Sequence, residues 1–119
     1  MNVQRGDVVM VDWLFSDRTG SKRRPALVVQ ADAYNAALDD TILALITGSS
    51  RRRVGAATQL EIDIVTPDGI HTGLVIDSVV QCENLVTVDR NFIQRIRGKL
   101  SLALMQKVND CLKAALDVP

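Results

Sequence analysis

Histidine, cysteine and aromatic side chains are scarce in this sequence. Its 119 residues include one histidine, two cysteines, one Trp, one Tyr and two Phe. A Ser–His–Asp triad would have to use His71, which lies beside a turn in the run DGIHTG. A transition-metal site is also disfavoured, because the sequence has one histidine and neither Cys-x-x-Cys nor His-x-x-x-His spacing. We interpret His71 as a surface or strand-edge residue. The sequence therefore disfavours serine hydrolases and zinc enzymes, and we expect no bound metal.

Other sites for cofactors are also missing from the pattern. Cys82 and Cys111 have no Cys-x-x-Cys spacing, so we predict two reduced, buried thiols rather than a disulfide or a metal pair. The run Gly48-Ser49-Ser50 lacks the lysine spacing of a P-loop. Glu61 and Asp63 alternate along one strand, which an exposed polar face explains better than a cation site. We therefore expect no cofactor.

Long hydrophobic runs are absent as well. No segment is apolar over the roughly 20 residues that a membrane-spanning helix requires. Residues 1–11 contain no long apolar segment followed by a small-residue cleavage site, so we expect a cytoplasmic protein with no membrane association. A length of 119 residues with 47% hydrophobic content predicts a single folded domain over residues 1–119.

The charge is balanced in number but not in position. Fourteen Lys and Arg residues face fourteen Asp and Glu residues, which argues mildly against a general nucleic-acid binder. The acidic residues are scattered along the chain. The basic residues concentrate in three segments: Arg18 with Lys22, Arg23 and Arg24; Arg51, Arg52 and Arg53; and Arg90 with Arg95, Arg97 and Lys99. A neutral chain can therefore still present a basic face.

Hydrophobic patterning predicts a mainly β fold with one C-terminal helix. We expect strands over residues 8–15, 25–30, 41–47, 58–64, 73–80 and 85–88, and a turn or short helical piece over 32–40. The helical period begins after Ser101, the predicted N-cap, and continues to about Leu116. Five to seven short strands at spacings of about ten residues favour a small barrel.

Three local features refine this interpretation. Pro25 is expected at the first position of its strand, where no backbone donor is needed. The strand over 41–47 is apolar nearly throughout, so we expect it to be buried on both faces. The run Pro67-Asp68-Gly69 predicts a turn, with glycine in the positive-φ position.

Arginine provides the most informative candidate site. Arg24 is held at a strand entrance by Pro25, and a guanidinium can bind phosphate through two parallel bonds. Lys22, Arg23, Arg51, Arg52 and Arg53 would extend the positive field along a polynucleotide. Thr47, Ser49 and Ser50 would supply neutral donors. Each cluster also has a plain alternative as a solvated loop, and Arg24 meets Thr47 only if the strand ends come together.

RNA cleavage is a chemistry that these residues could perform without metal, histidine or cofactor. RNA carries its own nucleophile, the 2′-hydroxyl, so an enzyme need only orient it, stabilise charge on the phosphoryl oxygens and assist proton transfer. Trp13 and Phe15 precede the first basic segment and could stack unpaired bases. They could equally belong to the core.

The chain resembles the PemK/MazF family of toxins from bacterial toxin–antitoxin pairs. The resemblance rests on these segments, in order along nearly the whole chain: RGDVVMVDW, GSKRRPALVVQAD, TILALITGSS, GLVIDSVV, LVTVDRNFI and RGKLS. It implies an SH3-like barrel with a C-terminal helix, a homodimer, and a separate antitoxin as partner. It also implies a metal-independent endoribonuclease that cleaves single-stranded RNA (mRNA) and leaves a 2′,3′-cyclic phosphate and a 5′-hydroxyl.

The resemblance also assigns roles to two residues. The key arginine of the family's R-P motif matches Arg24, which would contact the scissile phosphate and aid proton transfer. The Thr or Ser that ends the family's I-T/S strand matches Thr47, which would stabilise the transition state. Many relatives have a glutamate in the loop before R-P, whereas residues 16–23 contain only Asp17 as an acid. A gyrase-inhibiting toxin of the same fold and a catalytically inactive regulator are the alternatives.

Overall fold

The computed structural model describes residues 2–13, 22–49 and 56–119, with the backbone alone at Trp13 and Lys22. Within these ranges the strands are β1 Asp7–Trp13, β2 Lys22–Val28, β3 Asp40–Gly48, β4 Gln59–Ile62, β5 Ser78–Asp89 and β6 Ile93–Lys99. The α-helices are α1 Asp32–Ala37, α2 Pro67–Ile70 and α3 Leu102–Leu116. The 3₁₀ turn Arg90–Phe92 joins β5 to β6.

The six strands form one antiparallel sheet in the order β4-β5-β3-β2-β1-β6. In the described part of the chain the outer strands β4 and β6 do not pair with each other, so the sheet is open. The predicted mainly β fold with a C-terminal helix is confirmed. The SH3-like barrel agrees with it in strand number and in the terminal helix, although the sheet does not close.

Strand β3 lies in the middle of the sheet and contributes to the core on both faces. Leu43 packs in a cluster with Val9 and Val28, whereas Ala44 and Ile46 belong to a second cluster under α3. Such alternation is the expected geometry of a strand covered on both sides. The prediction that residues 41–47 are buried on both faces is therefore confirmed.

Helix α3 closes the second of these clusters. The Ser101 hydroxyl accepts a hydrogen bond from the Leu104 backbone N–H at 3.2 Å, so the predicted N-cap is confirmed. Met105, Val108 and Cys111 are the buried residues of the helix. Burial of each contributes roughly 1–3 kcal/mol through the hydrophobic effect. None of the described helices is long and apolar enough to cross a membrane.

Two strand predictions near the C-terminus are wrong. Residues 73–80 and 85–88 are not separate strands: residues 78–89 form the continuous β5, and residues 73–77 are a loop. Strand β6 has no counterpart among the predicted strands. Its residues are mostly exposed or half-buried, because it is an edge strand held by backbone pairing with β1, and such pairing leaves no alternating pattern in the sequence.

Two local predictions also need correction. Residues 67–70 form the short helix α2 rather than a turn, and Gly69 does not have a positive φ. Gly69 is required for space instead, because a Cβ there would overlap the Asp63 carbonyl group. Pro25 lies inside β2 rather than at its first position. The β2–β3 pairing begins only at Ala26, so the missing N–H of Pro25 leaves that ladder intact.

The two cysteines are free and buried, as predicted. Cys82 on β5 and Cys111 on α3 belong to the same core cluster. Burial, followed by the proximity of Cys111, raises the pKa of the Cys82 thiol to about 12. Burial also raises the pKa of Cys111. Both side chains therefore act as small apolar residues rather than as reactive thiols.

The raised pKa of Cys82 predicts a specific loss of stability in alkali. An unfolded thiol ionises near pH 9.0, while the folded one keeps its proton to about pH 12. Between these values the unfolded state binds fewer protons, so the free energy of unfolding falls by at most about 1.4 kcal/mol per pH unit. Urea unfolding of the wild type and Cys82→Ala at pH 8 and above should show a shallower decline for the variant. Parallel curves would contradict this assignment.

Candidate active site

Strands β2 and β3 do not pair with each other at one end, and these two strand ends form one side of a groove. The two strands are hydrogen-bonded only from Ala26–Leu45 to Val28–Leu43. Pro25, without a backbone N–H, precedes this ladder. Beyond it, residues 23–25 of β2 and 46–48 of β3 line a groove of about 310 Å³. The β2–β3 ladder thus stops next to Pro25, and the groove begins at that point.

Arg24 and Thr47 meet at this groove although 22 residues separate them in the chain. Continuing the register of the β2–β3 ladder by two residues sets Arg24 opposite Thr47. Each is fixed on its other side, Arg24 by pairing with Val11 of β1 and Thr47 by pairing with Val79 of β5. Both side chains are half-buried and line the groove. The condition for their approach, that these strand ends come together, is met.

The other side of the groove is the loop 73–77. Residues 73–76 line the groove, and Val75 and Ile76 are largely exposed, at 74% and 58%. The loop is tied to β3 because the Ser49 N–H donates to the Asp77 carbonyl at 2.9 Å. The Asp77 carboxylate in turn accepts the Ile64 N–H at 3.0 Å. These bonds hold the exposed apolar side chains of Val75 and Ile76 beside the polar end of β3.

Two glycines allow this loop to lie directly on β6. Gly73 has φ +72°, and a Cβ there would overlap the Arg97 carbonyl group. A Cβ on Gly98 would overlap the His71 and Thr72 carbonyl groups. At this contact the Lys99 N–H donates to the His71 carbonyl at 3.0 Å. Only glycine at both positions permits backbone contact this close.

The groove is electropositive. Arg23, Arg24 and Arg97 line it, and no Asp or Glu is among its described lining residues. Thr47 and Ser78 add hydroxyl groups, although the Ser78 hydroxyl donates to the Ile76 carbonyl at 2.8 Å. Guanidinium and hydroxyl donors around one space can bind an anion and stabilise negative charge. The described residues include no group of three His, Cys, Asp or Glu side chains arranged for a metal.

The remaining predicted RNA-binding residues have mixed outcomes. Arg23 is exposed and lines the groove. Ser49 follows β3 and bonds to the 73–77 loop through its backbone, so it positions the groove rather than lining it. The Lys22 backbone belongs to β2, and its side chain lies outside the described part. Ser50 and Arg51, Arg52 and Arg53 also lie outside the described residues.

Other candidates from the sequence lie away from the groove or outside the described part. His71 is exposed at the end of α2, as predicted. Phe15 and the Trp13 side chain lie outside the described residues, so neither base stacking nor a core position is decided for them. Arg5, in the RGD run, donates to the Val29 carbonyl at 2.9 Å and to Asn109 Oδ1 at 2.7 Å. These bonds tie the segment before β1 to the end of β2 and to α3, which is a structural role.

Arg97 and the 73–77 loop are the parts of the groove that sequence reasoning did not assign to a site. Arg97 was one of four basic residues in its segment, with nothing to distinguish it from Arg95. Gly73 was placed inside a predicted strand. The need for glycine at positions 73 and 98 arises from the contact between the loop and β6, which local sequence patterns do not specify.

Comparison with known proteins identifies relatives over most of the chain. Residues 4–116 match the family described as PemK-like, MazF-like toxin of type II toxin–antitoxin system. The chain is 31% identical over 98 residues to Endoribonuclease MazF6 of Mycobacterium tuberculosis, which covers 82% of each protein. It is 33% identical to Endoribonuclease EndoA of Bacillus subtilis, covering 98% of this chain and 96% of that one.

Solved structures show the same fold. A mycobacterial endoribonuclease in complex with its cognate antitoxin superimposes with a TM-score of 0.78 at 24% identity, covering 98% of this chain and 97% of that one. The MazE–MazF structure (Form-III) from Deinococcus radiodurans has a TM-score of 0.75 at 19% identity and covers both chains completely. The sequence match extends over most of the chain and the fold agrees with it, so the chain belongs to the PemK-like, MazF-like family of type II toxin–antitoxin toxins.

Proposed function

We propose that this chain is an endoribonuclease toxin that cuts single-stranded RNA and is neutralised by a cognate antitoxin. The observation that carries the proposal is the joint position of Arg24 and Thr47 in one groove whose described lining residues include no Asp or Glu. Membership of a family whose relatives are named endoribonucleases gives independent support. The catalytic unit is the single domain of residues 1–119, acting in the cytoplasm as a homodimer.

The proposed reaction is a transesterification within the RNA. The 2′-oxygen loses its proton and bonds to the adjacent phosphorus, while the bond from phosphorus to the 5′-oxygen breaks. The leaving 5′-oxygen gains a proton, so a 2′,3′-cyclic phosphate and a 5′-hydroxyl form without consumption of water. Protons and electrons balance with no oxidant, reductant or metal ion.

In this reaction Arg24 and Thr47 stabilise the negative charge that develops on the phosphoryl oxygens. The Arg24 guanidinium donates to the non-bridging oxygens, which carry more negative charge in the transition state than in the substrate. The Thr47 hydroxyl donates to the same group from β3. Arg23 attracts the RNA backbone from the exposed side of the groove. Binding energy is thus concentrated where charge increases during the reaction.

The direct test is incubation of purified protein with a long single-stranded RNA in EDTA, with the cut ends mapped. We expect cuts at a short recurring sequence and ends that carry a 2′,3′-cyclic phosphate and a 5′-hydroxyl. Addition of Mg²⁺ should not be needed for cleavage. RNA that stays intact with and without Mg²⁺ would contradict the proposed activity and favour a non-catalytic toxin of the same fold.

A further inference from the structure

Arg97 is an unusual residue for an edge strand. Strand β6 pairs with β1 through Val8–Gly98 and Val9–Ile96. Arg97 therefore has no residue of β1 opposite it and forms a β-bulge. A bulge turns the extra residue out of the regular alternation and can direct its side chain to a new place. The Arg97 side chain is half-buried and lines the groove, whereas that of Arg95 on the same strand is exposed and does not.

The Arg97 guanidinium is also held in orientation. Its Nη2 donates to the Gly73 carbonyl at 2.9 Å. A guanidinium carries five N–H groups in a rigid plane, so this bond fixes the plane and leaves donors for a ligand. The carbonyl belongs to the loop that needs glycine to approach β6. The bulge, the glycine contact and the hydrogen bond together place a rigid cation at the groove.

We propose that Arg97 binds a phosphate of the RNA strand next to the one that is cleaved. This inference rests on the proposed function of the groove. Arg24 reaches the groove from the end of β2, opposite the end of β3, and Arg97 reaches it from β6 beside the 73–77 loop, so the two cations lie on different borders of the same space. Two cations on different borders can each contact one of two successive phosphates of an RNA strand, whereas a single phosphate would contact only one of them. Arg97 thereby sets the register of the strand relative to Arg24.

The test measures binding without cleavage. A short single-stranded RNA of mixed sequence with a 2′-O-methyl group on every ribose has no nucleophile, so its affinity can be measured by fluorescence anisotropy. The proteins are the wild type, Arg97→Gln, Arg97→Lys and the matched control Arg95→Gln. Thermal unfolding of each variant checks that it is folded.

We expect Arg97→Gln to lower the affinity about 10-fold, because a charged hydrogen bond is lost. The slope of log affinity against log salt should become shallower by about 0.7, the value for one phosphate contact on a single strand. Arg97→Lys should keep the slope because it keeps the charge. Arg95→Gln should leave both quantities close to the wild type.

Three outcomes would overturn the inference. An unchanged salt slope in Arg97→Gln with reduced affinity would indicate a purely structural role. An affinity loss in Arg97→Gln that differs between two methylated RNAs of different sequence, with an unchanged slope, would indicate contact with a base. Wild-type protein that fails to bind the methylated RNA would exclude the contact altogether. If the wild type binds with the predicted Arg97 effect but does not cut unmodified RNA, the proposed function fails and the phosphate contact stands.

Discussion

Replacement of Arg24 by alanine is expected to lower the rate of RNA cleavage about 100- to 1,000-fold, the usual effect of removing one donor from a transition-state binding site. The loss should appear mainly in kcat, because Arg23 and Arg97 still line the groove and still attract RNA. The measurement is cleavage of a substrate RNA at saturating concentration, with KM determined in parallel.

Two further variants define what Arg24 contributes. Arg24→Lys keeps the charge but loses the planar fork, so its activity should fall between that of wild type and Arg24→Ala. Arg95→Ala removes an exposed arginine that does not line the groove and should leave cleavage unchanged. Equal activity of wild type and Arg24→Ala, with both proteins folded, would exclude a catalytic role for this residue.

Replacement of Gly73 by alanine is expected to lower the free energy of unfolding by about 2–4 kcal/mol, through a strained positive φ and overpacking against Arg97. For a chain of this length the midpoint of thermal unfolding should fall on the order of 10 °C. The substitution should also lower RNA cleavage well below the unfolding temperature, because the loop that lines the groove must shift away from β6.

Gly6 provides a matched control for this effect. Gly6 also has a positive φ, of +98°, but the nearest atom to its added Cβ is Met105 Cγ at 3.6 Å, an ordinary contact. Gly6→Ala should therefore cost only the backbone strain, about 1 kcal/mol, and should retain cleavage activity. If the two variants lose the same stability, the close contact between the loop and β6 does not contribute.

Sequence patterns predicted several elements with useful accuracy for clear physical reasons. β3 is a short, continuous apolar run, and a strand buried on both faces requires such a run. α3 begins after Ser101, whose side chain forms the cap, and its buried residues recur at helical spacing. Strand β6 was missed because the pairing of an edge strand is made by the backbone and is independent of side-chain type.

The candidate site likewise contains residues that local sequence motifs predict and one residue that they do not. Arg24 and Thr47 could be selected from motifs, because each lies in a short run with a characteristic neighbour, Pro25 or Gly48. Arg97 could not be selected, because its position depends on a bulge in the β1–β6 ladder. A bulge is a mismatch between two strands far apart in sequence, and neither strand alone specifies it.

By itself the sequence determined the type of chemistry available to this protein and most of its local structure. One histidine, few carboxylates near the basic segments and an arginine next to Pro25 favour phosphate binding as the predicted use of the site. The tertiary structure decided which of these residues lie together. The register of the β2–β3 ladder places Arg24 and Thr47 at the same groove. The close approach of Gly73 and Gly98 to backbone carbonyl groups places Arg97 there as well. Both placements depend on pairing between segments far apart in the sequence, which local patterns do not specify.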